Sequence, residues 1–168
     1  WAPFHYGRWH HHARHGWLWL PDLHWAPAWV TWRVSNAYCG WAPLPPGARV
    51  VAGRGWLFNG VSVNSNFDFH LGIDLFNFVE IRHLPDRHLR LVGLSRERVP
   101  EIQHGLTVVN QYAVGPNHLV VNQGVPVAQV NSAIGIHLPR YQILDRPRGA
   151  APPRTTEHPS PGGGTVIY

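Results

Sequence analysis

The sequence predicts a mostly β fold: tandem tryptophan-rich β-hairpins packed with an antiparallel sheet, plus one or two short helices. Three observations predict it. Residues 1–45 are written twice at a constant offset of 24. Trp1-Ala2-Pro3 returns as Trp25-Ala26-Pro27, Gly16-Trp17 as Gly40-Trp41, and Leu20-Pro21 as Leu44-Pro45. Apolar residues alternate with polar ones through 61–75, with Val61, Val63, Phe67, Phe69, Leu71, Ile73 and Leu75 at odd positions, the period of a half-buried strand. Aromatic and β-branched runs are cut at short intervals by Pro, Gly, Asn and Asp, which is how hairpins are written.

In the first copy, Phe4 to Trp9 runs as a strand into His10-His11-His12, Ala13 to Gly16 reverses the chain, and Trp17 to Leu20 returns. In the second, Trp29 to Val34 leads through Ser35-Asn36 to Tyr38-Cys39-Gly40-Trp41. Pro3, Pro21, Pro27 and Pro43 donate nothing to a ladder and belong at strand starts and exits. A lone hairpin is marginal in water, so the copies are expected to pack together or onto the β-rich region C-terminal to them. Val50-Val51 and Trp56-Leu57-Phe58 are short strands, and 61–75 is a longer one with a turn at Asn64-Ser65-Asn66. A short helix is expected within 86–94. Val108-Val109-Asn110-Gln111 recurs as Val120-Val121-Asn122-Gln123 around Gly115-Pro116-Asn117, giving a further hairpin. Pro126 opens a helix carrying Val127, Val130 and Ile134 on one face, Gly135 stops it, and 136–144 returns to strand. The chain therefore divides into a Trp-rich repeat (1–58), a β-rich region (59–145) and a Pro/Gly/Arg tail (146–168). The tail is extended or disordered unless docked on a partner, and ends in the strand-like Thr165-Val166-Ile167-Tyr168.

Positive charge comes from 14 arginines and no lysine. It is uneven: +4 over residues 1–60, −1 over 61–145 and +2 over 146–168. The basic repeat and tail point to an anionic partner surface. The single cysteine, Cys39, forms no internal disulfide and reads as a small buried thiol. No stretch approaches the ~20 apolar residues of a spanning helix. No leader peptide is present, as in a mature secreted chain, and the absence of methionine fits a processed chain or a fragment.

The runs Trp-Ala-Pro-Phe-His-Tyr-Gly-Arg-Trp (1–9), Gly16 to Pro21, Trp25 to Val30 and Gly40 to Pro45 resemble a tryptophan-rich bacterial domain of unknown function. This is the "YGRW" module of secreted or envelope proteins, often found downstream of FecR-like domains. Phe78 to Arg87 and the Asn-rich hairpin with Gly124-Val125-Pro126-Val127 are similar to the segments C-terminal to the repeat in those proteins, so the resemblance covers roughly 1–145. It implies export to the periplasm, cell surface or extracellular space, and supplies no reaction. The chain departs from the pattern at His10, His11 and His12, where aromatic or aliphatic strand residues are usual, and the sequence shows no upstream FecR-like region.

Catalytic motifs are missing. Carboxylates are scattered, Gly93-Leu94-Ser95-Arg96-Glu97 breaks the serine-hydrolase elbow at its last position, and no phosphate loop, dinucleotide fingerprint or zinc-protease motif occurs. No cofactor and no nucleic-acid partner are expected. The first expectation is a non-enzymatic, exported structural or interaction module of the bacterial envelope or matrix. Its partners would be other envelope proteins, copies of itself, or an anionic polysaccharide, and the terminal strand would add to a sheet edge. The alternative is a glycan-binding module using Trp9, Trp17, Trp19, Trp29 and Trp32 as flat faces, with Arg8, Arg14 and Arg33 interleaved, an arrangement that equally suits cation–π packing. Against it, two hairpins need a core, and tryptophan fills one. A weaker alternative is metal binding by His10, His12 and His15, with Cys39 the one conceivable fourth ligand; solvated strand histidines explain the cluster more simply.

Overall fold

The computed structural model describes residues 2–114, 120–139, 141–144 and 164–167. They form two compact units, 1–134 and 135–168. In chain order the first unit holds α1 (Ala2–His5), β1 (Tyr6–His12), β2 (Gly16–Trp25), β3 (Val30–Val34), β4 (Tyr38–Pro43), β5 (Ala48–Val51), β6 (Gly55–Phe58), β7 (Val61–Val63), β8 (Asn77–Glu80), α2 (Val99–Ile102), β9 (Thr107–Val109), β10 (Tyr112–Val114), β11 (Val120–Asn122) and α3 (Val127–Ile134). The second contains β12 (Tyr141–Leu144) and β13 (Gly164–Ile167), paired in parallel. The protein is mostly β.

Each repeat copy forms a hairpin, but the two occupy different places. The β1-β2 pair stands as its own two-stranded sheet, whereas β3 and β4 are the centre of an antiparallel sheet in the order β8-β4-β3-β9. Phe4 and His5, expected in the first strand, form the single turn α1 instead. A bulge separates Tyr6 from Arg8. Gly7 sits in it at φ 74°, where a Cβ would collide with the Leu20 carbonyl, so only glycine fits. The bulge re-aims Arg8 inward, where its guanidinium lies 3.6 Å from the centre of the Trp29 ring. Ala26 N–H and Trp29 Nε1 both donate to the His5 carbonyl, at 3.1 and 2.9 Å. These contacts fasten the first hairpin to the second.

β5, β6 and β7 make a three-stranded meander. Its Trp56 joins Ala26, Trp29, Leu44, Ala48 and Phe69 in one buried cluster. A second cluster of Ala42, Phe76 and Phe78 lies on the four-stranded sheet. Phe78 faces Gly40 across β4-β8, and a Cβ at Gly40 would collide with its ring. Two polar residues stitch the layers. Buried Asn110 accepts from the Thr31 hydroxyl at 2.6 Å and donates to the Phe67 carbonyl at 2.9 Å. The Tyr112 hydroxyl donates to the Val30 carbonyl at 2.7 Å and accepts from Asn122 at 3.0 Å; burial raises this phenol well above its ordinary range.

Several sequence expectations need correction. Over 61–75 the odd apolar positions from Val63 onward are half-buried or buried and the even ones exposed, yet only Val61–Val63 is strand. The Asn66 and His70 N–H groups donate to the Asn64 and Asp68 carboxamide and carboxylate oxygens, at 3.0 and 2.9 Å. Such side-chain turns divert the backbone from a ladder, and Phe69 and His70 sit at φ 54° and 55°. The helix expected within 86–94 is one 3-10 turn, Leu89–Leu91, because so short a segment between Pro85 and Gly93 does not repay helix nucleation. The Asn-rich hairpin is built by β10 and β11, while Val108-Val109 pair with β3; its turn at 115–117 lies outside the described residues. The strand expected from Ile136 begins only at Tyr141. The helix 127–134 forms as expected, and Gly135 comes next at φ 72°. The tail at 146–163 and Tyr168 lie outside the described residues.

Candidate functional site

The first hairpin stands over the four-stranded sheet and leaves a groove of about 700 Å³ between them. In β1-β2, Trp9 faces Trp19 and His11 faces Trp17, so these four side chains share one face of the pair. Trp9, His11 and Trp17 line one wall, continued by Pro3 and Phe4. Val30, Trp41 and Pro43 line the sheet side, and Trp29 contributes from the β2-β3 connection. One end is closed by Asp74, Leu75, Phe76 and Asn77, with Arg96 beside them. Asn77 lies directly across from Trp41 in the β4-β8 ladder. Arg96 Nη1 donates to the Asp74 carbonyl at 2.9 Å, which holds the guanidinium at this end.

Two of the four tryptophans lining the groove have their indole N–H bonded to the chain's own backbone. Trp9 Nε1 donates to the Pro3 carbonyl at 3.0 Å and Trp29 Nε1 to that of His5. Trp9, Trp17 and Trp41 present aromatic surface to the groove, whereas Trp29 is only 8% exposed. Trp17 is 46% exposed, with the His11 ring edge-on at 5.1 Å. Asp74 is the one carboxylate among the lining residues.

Of the residues singled out in the sequence, Trp9, Trp17 and Trp29 meet in this groove. Trp19 is exposed but outside it, with Nε1 donating to the Tyr6 carbonyl at 2.9 Å. Trp32 is half-buried against Trp41 at 5.9 Å and under Gly124, also outside the lining. Arg8 is 8% exposed and packs on Trp29, and burial lowers its guanidinium to about 10. Arg33 lies over Phe76 at 4.8 Å and donates to the Leu71 carbonyl. These two arginines are packing groups. Arg14 is exposed at the tip of the first hairpin, apart from the groove lining.

The metal candidates do not converge. Among the described residues no group of three or more His, Cys, Asp or Glu is placed to hold a metal ion. His12 Nδ1 instead accepts from the Arg14 and His15 backbone N–H groups, at 3.1 and 3.3 Å, so it caps the turn. His10 lies across from Leu18 in the ladder. Cys39 is buried in the other hairpin, and burial pushes its thiol up to about 11. Among the described residues no helix is long and apolar enough to cross a membrane.

Residues 1–48 match a family described as a family of unknown function (DUF6600). The matched span is the two tryptophan hairpins, which supply most of the aromatic wall of the groove. No curated protein and no solved structure matches the chain. Sequence reasoning missed Phe4, Trp41, Asp74, Asn77 and Arg96. Trp41 was within reach, because it is the counterpart of Trp17 at the repeat offset. The polar end carries no sequence signal, since its residues come from β8 and two short turns far from the repeat.

Proposed function

We propose that this chain is a non-enzymatic, exported interaction module that binds carbohydrate in the aromatic groove. The observation that carries the reading is the groove's division of labour: indole and phenyl surface along its walls, and a carboxylate, an amide and a guanidinium gathered at one end. Sugar rings stack their C–H faces on indoles and need donors and acceptors for their hydroxyls at the rim. A lone carboxylate also fits binding better than glycoside hydrolysis, which works with two. Export is supported by the likeness of the tryptophan motifs to YGRW modules of envelope proteins. The expected result is that Trp17→Ala weakens binding of cellotriose and chitotriose by about tenfold or more, roughly the 1.4 kcal/mol that one ligand-facing indole contributes. Isothermal calorimetry reads this, and the thermal midpoint should barely move because Trp17 is exposed. Unaltered affinity would remove the groove from consideration.

The pairing of β13 with β12 favours a second, structural reading. Both outer edges of this parallel pair are open among the described residues, and open edges recruit further strands. Deleting 146–168 removes β13 and should lower the apparent mass in light scattering to that of a monomer. The same apparent mass before and after deletion would end the self-assembly reading.

A further inference from the structure

The polar end of the groove carries information about which sugar it takes. Resting on the carbohydrate reading above, we propose that the groove selects a sugar bearing a 2-acetamido group over the same sugar with a plain hydroxyl. Asp74 offers only acceptors, Arg96 only donors, and Asn77 both. Arg96 commits one N–H to the Asp74 carbonyl, and its remaining donors are available at the groove end. Asn77 stands next to Trp41 in register, so an amide and an indole adjoin there. An acetamido group is the complement of this arrangement. It is planar, its N–H donates to the Asp74 carboxylate, its carbonyl accepts from Asn77 or Arg96, and its methyl rests on the aromatic surface. A hydroxyl at that carbon has one donor, one acceptor and no apolar part. It reaches one of these partners, leaves the others to water, and buries nothing against Trp41.

The test compares chitotriose with cellotriose, which share the β-1,4 backbone and differ at the 2-position. Isothermal calorimetry on the full chain should give at least tenfold tighter binding of chitotriose. Asp74→Asn and Arg96→Ala, checked for folding by circular dichroism, should each bring the affinity ratio down toward one. A tetrasaccharide of alternating N-acetylglucosamine and N-acetylmuramic acid, set against chitotetraose, separates the two natural sources of this group. Tighter binding of the muramic sugar, dependent on Arg96, assigns cell-wall glycan, and weaker or equal binding assigns chitin-type glycan. Equal affinity for chitotriose and cellotriose would overturn the acetamide selection and leave the carbohydrate groove standing. Binding of neither would overturn both. A preference that survives in the Asp74→Asn/Arg96→Ala double variant would also overturn the proposal.

Discussion

Phe78→Ala is expected to lower the unfolding free energy by about 3–5 kcal/mol, enough to remove a large part of a typical domain's 5–15 kcal/mol. Phe78 is 2% exposed and stacks on Phe76, with ring centres 5.8 Å apart. Its neighbours make the loss worse than average. The ring occupies the space that a side chain at Gly40 would fill, and Ala42 is its buried companion. Neither Gly40 nor Ala42 has atoms to swing into the void, so on that side the walls lose their dispersion contacts. Urea denaturation should show a lower midpoint with an unchanged slope. A loss below about 1.5 kcal/mol would mean that the sheet collapses onto the vacancy and that Phe78 does not set the spacing of this layer.

Asn110→Ala should cost roughly 2–5 kcal/mol, by a polar route instead of a packing one. Asn110 is 1% exposed and holds the Thr31 hydroxyl and the Phe67 carbonyl at once. Its own backbone N–H donates to Ser65 and its carbonyl accepts from Trp56 Nε1. Truncating the side chain strands the buried Thr31 hydroxyl and the part-buried Phe67 carbonyl, a buried unsatisfied group being worth about 1–3 kcal/mol. Thr31→Val removes one of them in advance. Asn110→Ala should therefore cost less in a Thr31→Val background, and a thermal double-mutant cycle would show that coupling. Strict additivity would mean that the 2.6 Å bond is not what the asparagine contributes.

The two hairpins and the helix at 127–134 were legible because their signals are local: aromatic and β-branched runs, Pro and Gly at the ends, and three valine or isoleucine positions on one helical face. The alternation over 61–75 reported burial correctly and conformation wrongly. Alternating burial is a demand of the core, and side-chain turns at Asn64 and Asp68 meet it without a ladder. Periodicity alone does not separate the two solutions. The repeated Val-Val-Asn-Gln motif placed both asparagines at structural joints, but not the strand partners of its first copy, because Val108-Val109 found a better edge on β3. The candidate site was half legible. Tryptophan density marked one wall, whereas Asp74, Asn77 and Arg96 reach it only through the packing of the four-stranded sheet against the loops around it. Arg8 and Arg33, whose spacing among tryptophans suits ligand groups and cation–π packing equally, are held down on Trp29 and Phe76 as part of the interior.

The fastening of the first hairpin by Arg8 and His5 has a kinetic consequence. A two-stranded ribbon joined to a sheet only through its connecting loop would swing, and a ligand would have to wait for, or induce, the closed arrangement. Here the guanidinium on Trp29 and the two hydrogen bonds to the His5 carbonyl hold the wall in place before any ligand arrives. On the proposed carbohydrate reading, association is then expected to proceed in one step, with an observed rate that climbs linearly with sugar concentration and reaches no plateau, and differences in affinity among sugars are expected to reside in how long each one stays.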